Sequence, residues 1–166
     1  MSIENDYLVS IITPTYNQAE FIEDTIKSVV NQTYKNIEYI IIDNESNDGT
    51  QEIVNKYRDH YNIRYIREND RGQADAINKG MDLAKGQIVC WLNSDDMYYN
   101  DGAIEKVVEV FSGNRQTEIV FGKGYNADKT GHILSPFPIS PSQLNLKCIN
   151  YVDPILQPSA FWRNNK

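Results

Sequence analysis

Two rhythms of apolar residues alternate along the first two thirds of the chain. Short, nearly continuous apolar runs at 8–12, 37–42, 63–66 and 88–92 are rich in isoleucine and valine. Their length and β-branched content predict strands. Between them, apolar positions recur every three or four residues, which predicts helices with one buried face. The first spans 20–32 through Ile22, Ile26, Val29 and Val30, and the second 48–61 through Ile53, Val54 and Tyr57. The third spans 73–85 through Ala74, Ile77, Met81 and Ala84, with Gly86 placed to cap it. The fourth spans 101–111 through Ile104, Val107, Val108 and Phe111.

Strands separated by helices of this length require a parallel sheet, and continuous apolar strands require that both its faces be covered. The fold class expected is therefore α/β, a Rossmann-like, mostly parallel sheet with helices on both faces. After Gly113 the rhythm breaks. Segments 118–125 and 132–134 read as a hairpin around Asp128-Lys129-Thr130-Gly131. Pro136, Pro138, Pro141 and Pro154 mark a loop-rich stretch, in which Ser140-Pro141-Ser142-Gln143 predicts the start of a short helix. The expected division is a polar tail at 1–7, an α/β region at 8–112 and a second region at 113–166.

Charge narrows the function. A net charge of -7 lacks the basic face that nucleic acid needs. It also means that an anionic ligand must be held locally, by a bound cation or a helix N-terminus. Cys90 and Cys148 have neither metal-ligand nor redox spacing and read as reduced thiols. No apolar run reaches membrane-spanning length, and residues 1–7 lack the apolar core of a signal peptide. These features predict a cytoplasmic protein, the inner face of the membrane included.

In an open parallel sheet, ligands bind beyond the carboxyl ends of the strands. The first strand runs into Thr13-Pro14-Thr15-Tyr16-Asn17, the second into Asp43-Asn44-Glu45-Ser46-Asn47-Asp48, and the fourth into Asn93-Ser94-Asp95-Asp96. One rim thus collects an aromatic ring, hydroxyls and carboxylates. Adjacent acids at a strand end repel unless a positive charge joins them. Mg2+ and Mn2+ take one or two carboxylates and complete their shell with phosphate oxygens and water. The alternative for Asp95 and Asp96 is capping of the next helix, for which Asp101 is better placed. Asp43 has two readings, hydrogen bonding to a ligand or satisfying local backbone amides. Ser46 and Asp48 read as turn and cap residues, and His60 and His132 as surface residues.

Several chemistries are missing. There is no Gly-x-Gly-x-x-Gly after the first strand, no Gly-Lys-Ser/Thr phosphate loop and no Gly-x-Ser-x-Gly elbow. A receiver domain needs an acidic pair where Thr15-Tyr16-Asn17 stands. A sugar-1-phosphate nucleotidyltransferase shares the gross fold but calls for a glycine-rich loop at that point.

Five segments, in this order, resemble family 2 glycosyltransferases of the GT-A fold. They are Val9-Ser10-Ile11-Ile12-Thr13-Pro14-Thr15-Tyr16-Asn17, Ser28-Val29-Val30-Asn31-Gln32-Thr33-Tyr34, Ile42-Asp43-Asn44-Glu45-Ser46-Asn47-Asp48-Gly49-Thr50, Arg71-Gly72-Gln73-Ala74-Asp75-Ala76-Ile77-Asn78-Lys79-Gly80 and Trp91-Leu92-Asn93-Ser94-Asp95-Asp96. Gln157-Pro158-Ser159-Ala160-Phe161-Trp162-Arg163 resembles a later motif of the family. The resemblance implies a nucleotide-diphosphate sugar donor, a UDP-sugar by family habit, and an unknown acceptor, a glycan or a lipid-linked glycan. It implies inverting transfer assisted by Mg2+ or Mn2+. By matching position, Pro14, Thr15, Tyr16, Asn17, Asp43, Arg71, Asn78, Asn93 and Asp95 would contact the nucleotide, with Tyr16 stacking on the base. Asp95 and Asp96 would divide ribose and metal contacts, and Gln157 would lie on the acceptor side. Asn93 departs from the acid common at the first position of the family's Asp-x-Asp motif. The same likeness makes 113–166 the incomplete beginning of an acceptor-side region and places the catalytic carboxylate beyond Lys166. Asp153 has no surroundings that mark it as a substitute. A sheet cut at that point is expected to leave apolar surface near Phe137, Phe161 and Trp162 and to self-associate.

Overall fold

The structure, a computed structural model, describes residues 7–137 and 155–165. The tail before Tyr7, the helix expected near Ser140, and Cys148, Asp153 and Lys166 lie outside the described residues.

Strands β1 (Val9–Thr15), β2 (Ile37–Asp43), β3 (Ile63–Arg67) and β4 (Ile88–Trp91) alternate with helices α1 (Ile22–Val30), α2 (Thr50–Arg58) and α3 (Gln73–Leu83). Helix α4 (Ala103–Gly113) follows, then β5 (Ile119–Val120), β6 (Tyr125–Ala127), β7 (Ile133–Pro136) and β8 (Phe161–Arg163). The main sheet has six strands in the order β3-β2-β1-β4-β8-β5. β1 to β4 are parallel, and β8 runs antiparallel between β4 and β5. The order reverses between β1 and β4, which makes their carboxyl ends the switch point where open α/β sheets bind ligands.

Helices cover both faces, as expected. On one face α1, α2 and α4 bury Ile22, Ile26, Val29, Val54, Ile104, Val108 and Phe111 against Val9, Ile11, Tyr39, Ile41, Ile88 and Cys90. On the other, α3 packs on Ile12, Ile40, Ile42 and Val89. Ile11, Ile12, Ile40, Ile41 and Ile42 are fully buried, each contributing about 1.5–3 kcal/mol. Burial pushes the Cys90 thiol up to about 12, so it stays an unreactive thiol.

The structure corrects five local expectations. Helix α3 turns small residues to the sheet: Ala76, Gly80 and Ala84 are buried, whereas Ala74 is exposed. A Cβ on Gly80 would overlap Ile12, so helix and strand nearly touch. Gly86 does not cap α3, because Ala84 does so in an extended conformation. Asp101 does not cap α4. Gly102 is its N-cap, and the Ile104 amide donates instead to Gln32 Oε1 at 3.0 Å. Of the expected hairpin, 125–127 and 133–136 do pair around the 128–131 turn, but Ile119 and Val120 join the main sheet through β8. Phe161 and Trp162 are not open surface, because β8 carries Phe161 into the core and sets Trp162 edge-on to Trp91 at 5.2 Å. Exposed apolar side chains lie elsewhere, among them Tyr125, Ile133 and Leu134 on the β6–β7 hairpin and Met97 and Tyr99 after β4.

Gln32, just past the end of α1, continues a polar stripe through Thr25 and Ser28 that binds the chain between β4 and α4. Its amide donates to the Ser28 and Asn100 carbonyls at 2.9 Å each, and Ser28 Oγ accepts from the Tyr98 amide at 3.2 Å. Gln32→Leu strands these buried groups. The expected loss is about 1–3 kcal/mol, read as a lower urea midpoint at unchanged slope. A midpoint equal to wild type would contradict the stripe's role.

Candidate functional site

The rim at the switch point is opened by Pro14. Along β1 successive carbonyls alternate sides. Ile12 O accepts from the Leu92 amide toward β4, and Thr15 O accepts from the Asn44 amide toward β2. Pro14 is in phase with Ile12, so its missing N–H faces β4. The β1–β4 pairing has already ended there, at Ile12 and Trp91. A proline is thus tolerated in a central strand, and the two chains part into a crevice.

One side of the crevice is a clasp between the loops after β1 and β2. Asn17 and Glu45 hold left-handed backbone, φ 51° and 54°, which for non-glycine residues marks a constrained turn. The Asn17 amide donates to Ser46 Oγ at 2.9 Å, the Gln18 amide to Thr50 Oγ1 at 3.0 Å and the Ala19 amide to Asp48 Oδ2 at 2.9 Å. Asn17 Oδ1 accepts from the Asn47 amide at 2.9 Å. Three consecutive amides leading into α1 are therefore occupied by side chains. Ser46 and Asp48 act as the turn residues expected, and Thr15 Oγ1 is buried with no partner among the described residues.

Asp43 lies beneath this clasp, fully buried. Its Oδ1 accepts from the Ser46 amide at 3.0 Å and from Ser46 Oγ, and its Oδ2 accepts from Tyr65 OH. Arg67 Nε stands 3.9 Å from Oδ2, and Arg67 Nη2 donates to Ser46 O at 3.1 Å. Burial, with the bond to Asp43 second, holds the Tyr65 phenol well above its ordinary value, so Tyr65 stays a donor. Asp43 makes local bonds, with side chains as well as an amide for partners. Tyr65 and Arg67 escaped the sequence reading. Their spacing of two along β3, which puts both on one face of the strand, is the signal that went unused.

The other side is centred on Asn93. Its Oδ1 accepts from Gln73 Nε2 at 2.8 Å, and its Nδ2 donates to Asp96 Oδ2 and to Gln157 Oε1, each at 3.1 Å. Gln157 lies in the 3-10 turn Gln157–Ser159 that enters β8, and its Nε2 donates to Trp91 O at 2.6 Å. The antiparallel course of β8 brings this turn to the carboxyl end of β4. An acid at 93 would repel Asp96, whereas the amide donates to it. Gln73, unremarked in the sequence, is the first residue of α3 and reaches across to the same amide.

Asp95 is exposed and Asp96 half-buried. Burial first, then the charge of Asp95, pushes the Asp96 carboxyl above its ordinary value, against the bond from Asn93. Thr25 Oγ1 fixes the loop by donating to the Ser94 and Asp96 carbonyls at 2.9 and 2.8 Å. Among the described residues no group of three or more metal-type side chains occurs. Two adjacent hard carboxylates at a strand end fit a cation that draws its other ligands from phosphate and water. Tyr16 is 57% exposed beside the clasp. Arg71 extends into solvent and pairs with Asp75 at 3.0 Å. Asn78 is exposed on α3 and joins neither group.

Comparison with known proteins identifies the family. The sequence model of Glycosyl transferase family 2 matches residues 10–166. The chain belongs to that family. It is 42% identical over 105 residues to the putative teichuronic acid biosynthesis glycosyltransferase TuaG of Bacillus subtilis, a match covering 61% of this chain and 41% of TuaG. The mannosyltransferase PcManGT of Pyrobaculum calidifontis, solved with GDP-Man and Mn2+, superposes with TM-score 0.64 at 25% identity, covering 70% of this chain and 35% of that one. S. aureus TarS 1-349 with UDP-GlcNAc gives TM-score 0.74 at 23% identity, covering 93% and 45%, and supports the fold. The GT-A, Rossmann-like architecture is therefore that of the family. The chain spans between 21% and 46% of the length of the curated relatives it matches. No helix among the described residues is long and apolar enough to cross a membrane.

Proposed function

We propose that this chain is the donor-binding region of a metal-assisted, inverting family 2 glycosyltransferase that uses a UDP-sugar. One observation carries the reading. The amides leading into α1 are consumed by Ser46, Thr50 and Asp48, so that turn cannot cradle a diphosphate as glycine-rich loops do. The same rim holds two carboxylates with no cation paired to them among the described residues. An acidic protein then holds an anionic donor through a divalent cation.

In this reading Asp95 and Asp96 hold Mg2+ or Mn2+, and Asn93 orients Asp96. Tyr16 stacks on the base. Pro14, Thr15 and Asn17 shape its seat, and the buried hydroxyl of Thr15 is free to bond it. Asp43 fixes the seat from beneath. Arg71 and Asn78 stand on the α3 side of the crevice, where Arg71 can leave Asp75 for the diphosphate. The bound cation would offset charge on the departing diphosphate. Gln157 links the donor acids to segment 113–166, which we assign to the acceptor side. Asp95 and Asp96 serve the cation and Asp43 its buried partners, so none of the three is the base that takes the acceptor proton. The chain alone is read as binding donor with little transfer. The name of TuaG, a putative teichuronic acid biosynthesis glycosyltransferase, supports a role in polysaccharide or cell-wall biosynthesis.

Calorimetry with UDP tests this. Binding is expected with Mn2+ present and at least about tenfold weaker after chelation by EDTA. Equal affinity before and after chelation would overturn the metal bridge.

A further inference from the structure

We propose that Tyr99 and Tyr125 form a stacking platform for a neutral sugar ring of the acceptor, a subsite that rests on the donor reading above. The two rings come from separate elements yet lie 5.1 Å apart between centroids, tilted by 39°. Both are open to solvent, Tyr99 at 67% and Tyr125 at 47%. Contiguous exposed apolar surface built from two separate elements marks a candidate binding site. Tyrosine suits a sugar because its face meets the ring's C–H groups while its hydroxyl stays available for hydrogen bonding.

The platform is tied to the donor acids from both sides. Tyr99 follows Asp96 by three residues, so the two backbones are at most about 11 Å apart. That loop is pinned by Thr25 and Ser28. Tyr125 opens β6, and the chain before it is fixed to the 3-10 turn. The Gly122 amide donates to Ser159 Oγ at 3.1 Å, and Ser159 Oγ donates to Gly122 O at 3.2 Å. A Cβ on Gly124 would overlap Leu156. The same turn carries Gln157, which bonds Asn93, which bonds Asp96. Both rings are therefore carried by segments that are hydrogen-bonded, on one side directly and on the other through the 3-10 turn, to the loop bearing Asp95 and Asp96.

Charge selects the ligand. The chain carries -7, and Asp95 and Asp96 precede Tyr99 by four and three residues on the same loop. An anionic lipid surface or a phosphorylated acceptor would be repelled, whereas a neutral hexose ring would not.

Saturation-transfer NMR on the whole chain with UDP and Mn2+ tests the platform, using methyl glycosides of glucose, N-acetylglucosamine and mannose as probes. At least one glycoside is expected to bind. Tyr99→Ala and Tyr125→Ala should each weaken it by about five- to tenfold, and Tyr99→Phe should retain most of the binding. UDP affinity, measured in parallel, should be unchanged in all three variants. Absence of binding by all three glycosides, or binding untouched by the double alanine variant, would overturn the platform. Wild-type dimers that the double alanine variant converts to monomers in sedimentation would also overturn it, in favour of a second copy of the chain. Loss of metal-dependent UDP binding by wild type would instead refute the donor reading, so the two failures are distinguishable.

Discussion

Asp96→Asn is expected to raise thermal stability and to abolish metal-dependent UDP binding. The two effects have one cause. Asp96 is half-buried beside Asp95, and its carboxyl is pushed up by burial and by that neighbour's charge. The native state therefore binds this proton more tightly than the unfolded chain does. Between the ordinary carboxylate value and the raised one, stability falls as pH rises, and above the raised value the whole cost is present. At pH 7 asparagine removes that cost and keeps an oxygen to accept from Asn93 Nδ2. The melting temperature should rise by about 1–4 °C, and the gain should vanish on acidification below the ordinary carboxylate range. Binding should respond in the opposite sense. Partners one shell removed from a metal are already worth about 10–100-fold, so losing a ligand should cost at least about a hundredfold in UDP affinity with Mn2+. Calorimetry and a melting curve on the same sample test both. An unchanged UDP affinity would remove Asp96 from the cation site, and a lower melting temperature would show it to be structural.

Much of this was legible in the sequence, and what was not has local physical reasons. Apolar runs located β1 to β4, because a strand covered on both faces must be apolar throughout. They also ended β1 too early. Thr13, Pro14 and Thr15 are buried polar or cyclic residues that no hydrophobic pattern captures, and they form the wall of the crevice. The face of α3 was misplaced because Ala76 and Gly80 approach the sheet by being small, and the pattern weights large residues. Among the rim residues, the strand-end rule located Asp43, Asn93, Asp95 and Asp96 without distinguishing buried from exposed. Asp43 turned inward because Tyr65, Arg67 and Ser46 surround it, a fact held in two separate segments, β3 and the loop after β2. Gln157 was found only through family likeness. Its link to Asn93 spans 64 positions and depends on β8 running against β4.

Gly86 presents the opposite case, a residue whose sequence signal was plain and whose reason was misassigned. The pattern gave it a helix cap, yet its φ is not in the left-handed range, which among glycines only Gly49, Gly72 and Gly131 occupy. What it provides is space. Its amide donates to Ser10 Oγ at 2.8 Å, Ser10 Oγ donates to Glu38 Oε2 at 2.6 Å, and the same Glu38 oxygen accepts from the Lys85 amide at 2.8 Å. This knot ties the start of β4 to β1 and β2 at the end of the sheet away from the rim. A Cβ at 86 would stand 2.6 Å from Leu8 O and Ser10 Oγ and 2.7 Å from Ser10 N. Two of those atoms are backbone in a central strand and cannot move aside without breaking the ladder. Gly86→Ala is therefore expected to cost about 3 kcal/mol, lowering the melting temperature by about 6–12 °C. Gly131→Ala, in the exposed hairpin turn, should cost only about 1 kcal/mol from its left-handed φ of 83°. Because the knot is remote from Asp95 and Asp96, the folded fraction of Gly86→Ala should bind UDP with Mn2+ at wild-type affinity. Comparable melting temperatures for the two variants would mean that the backbone around Ser10 yields, and that Gly86 is not needed for close approach of β4 to β1.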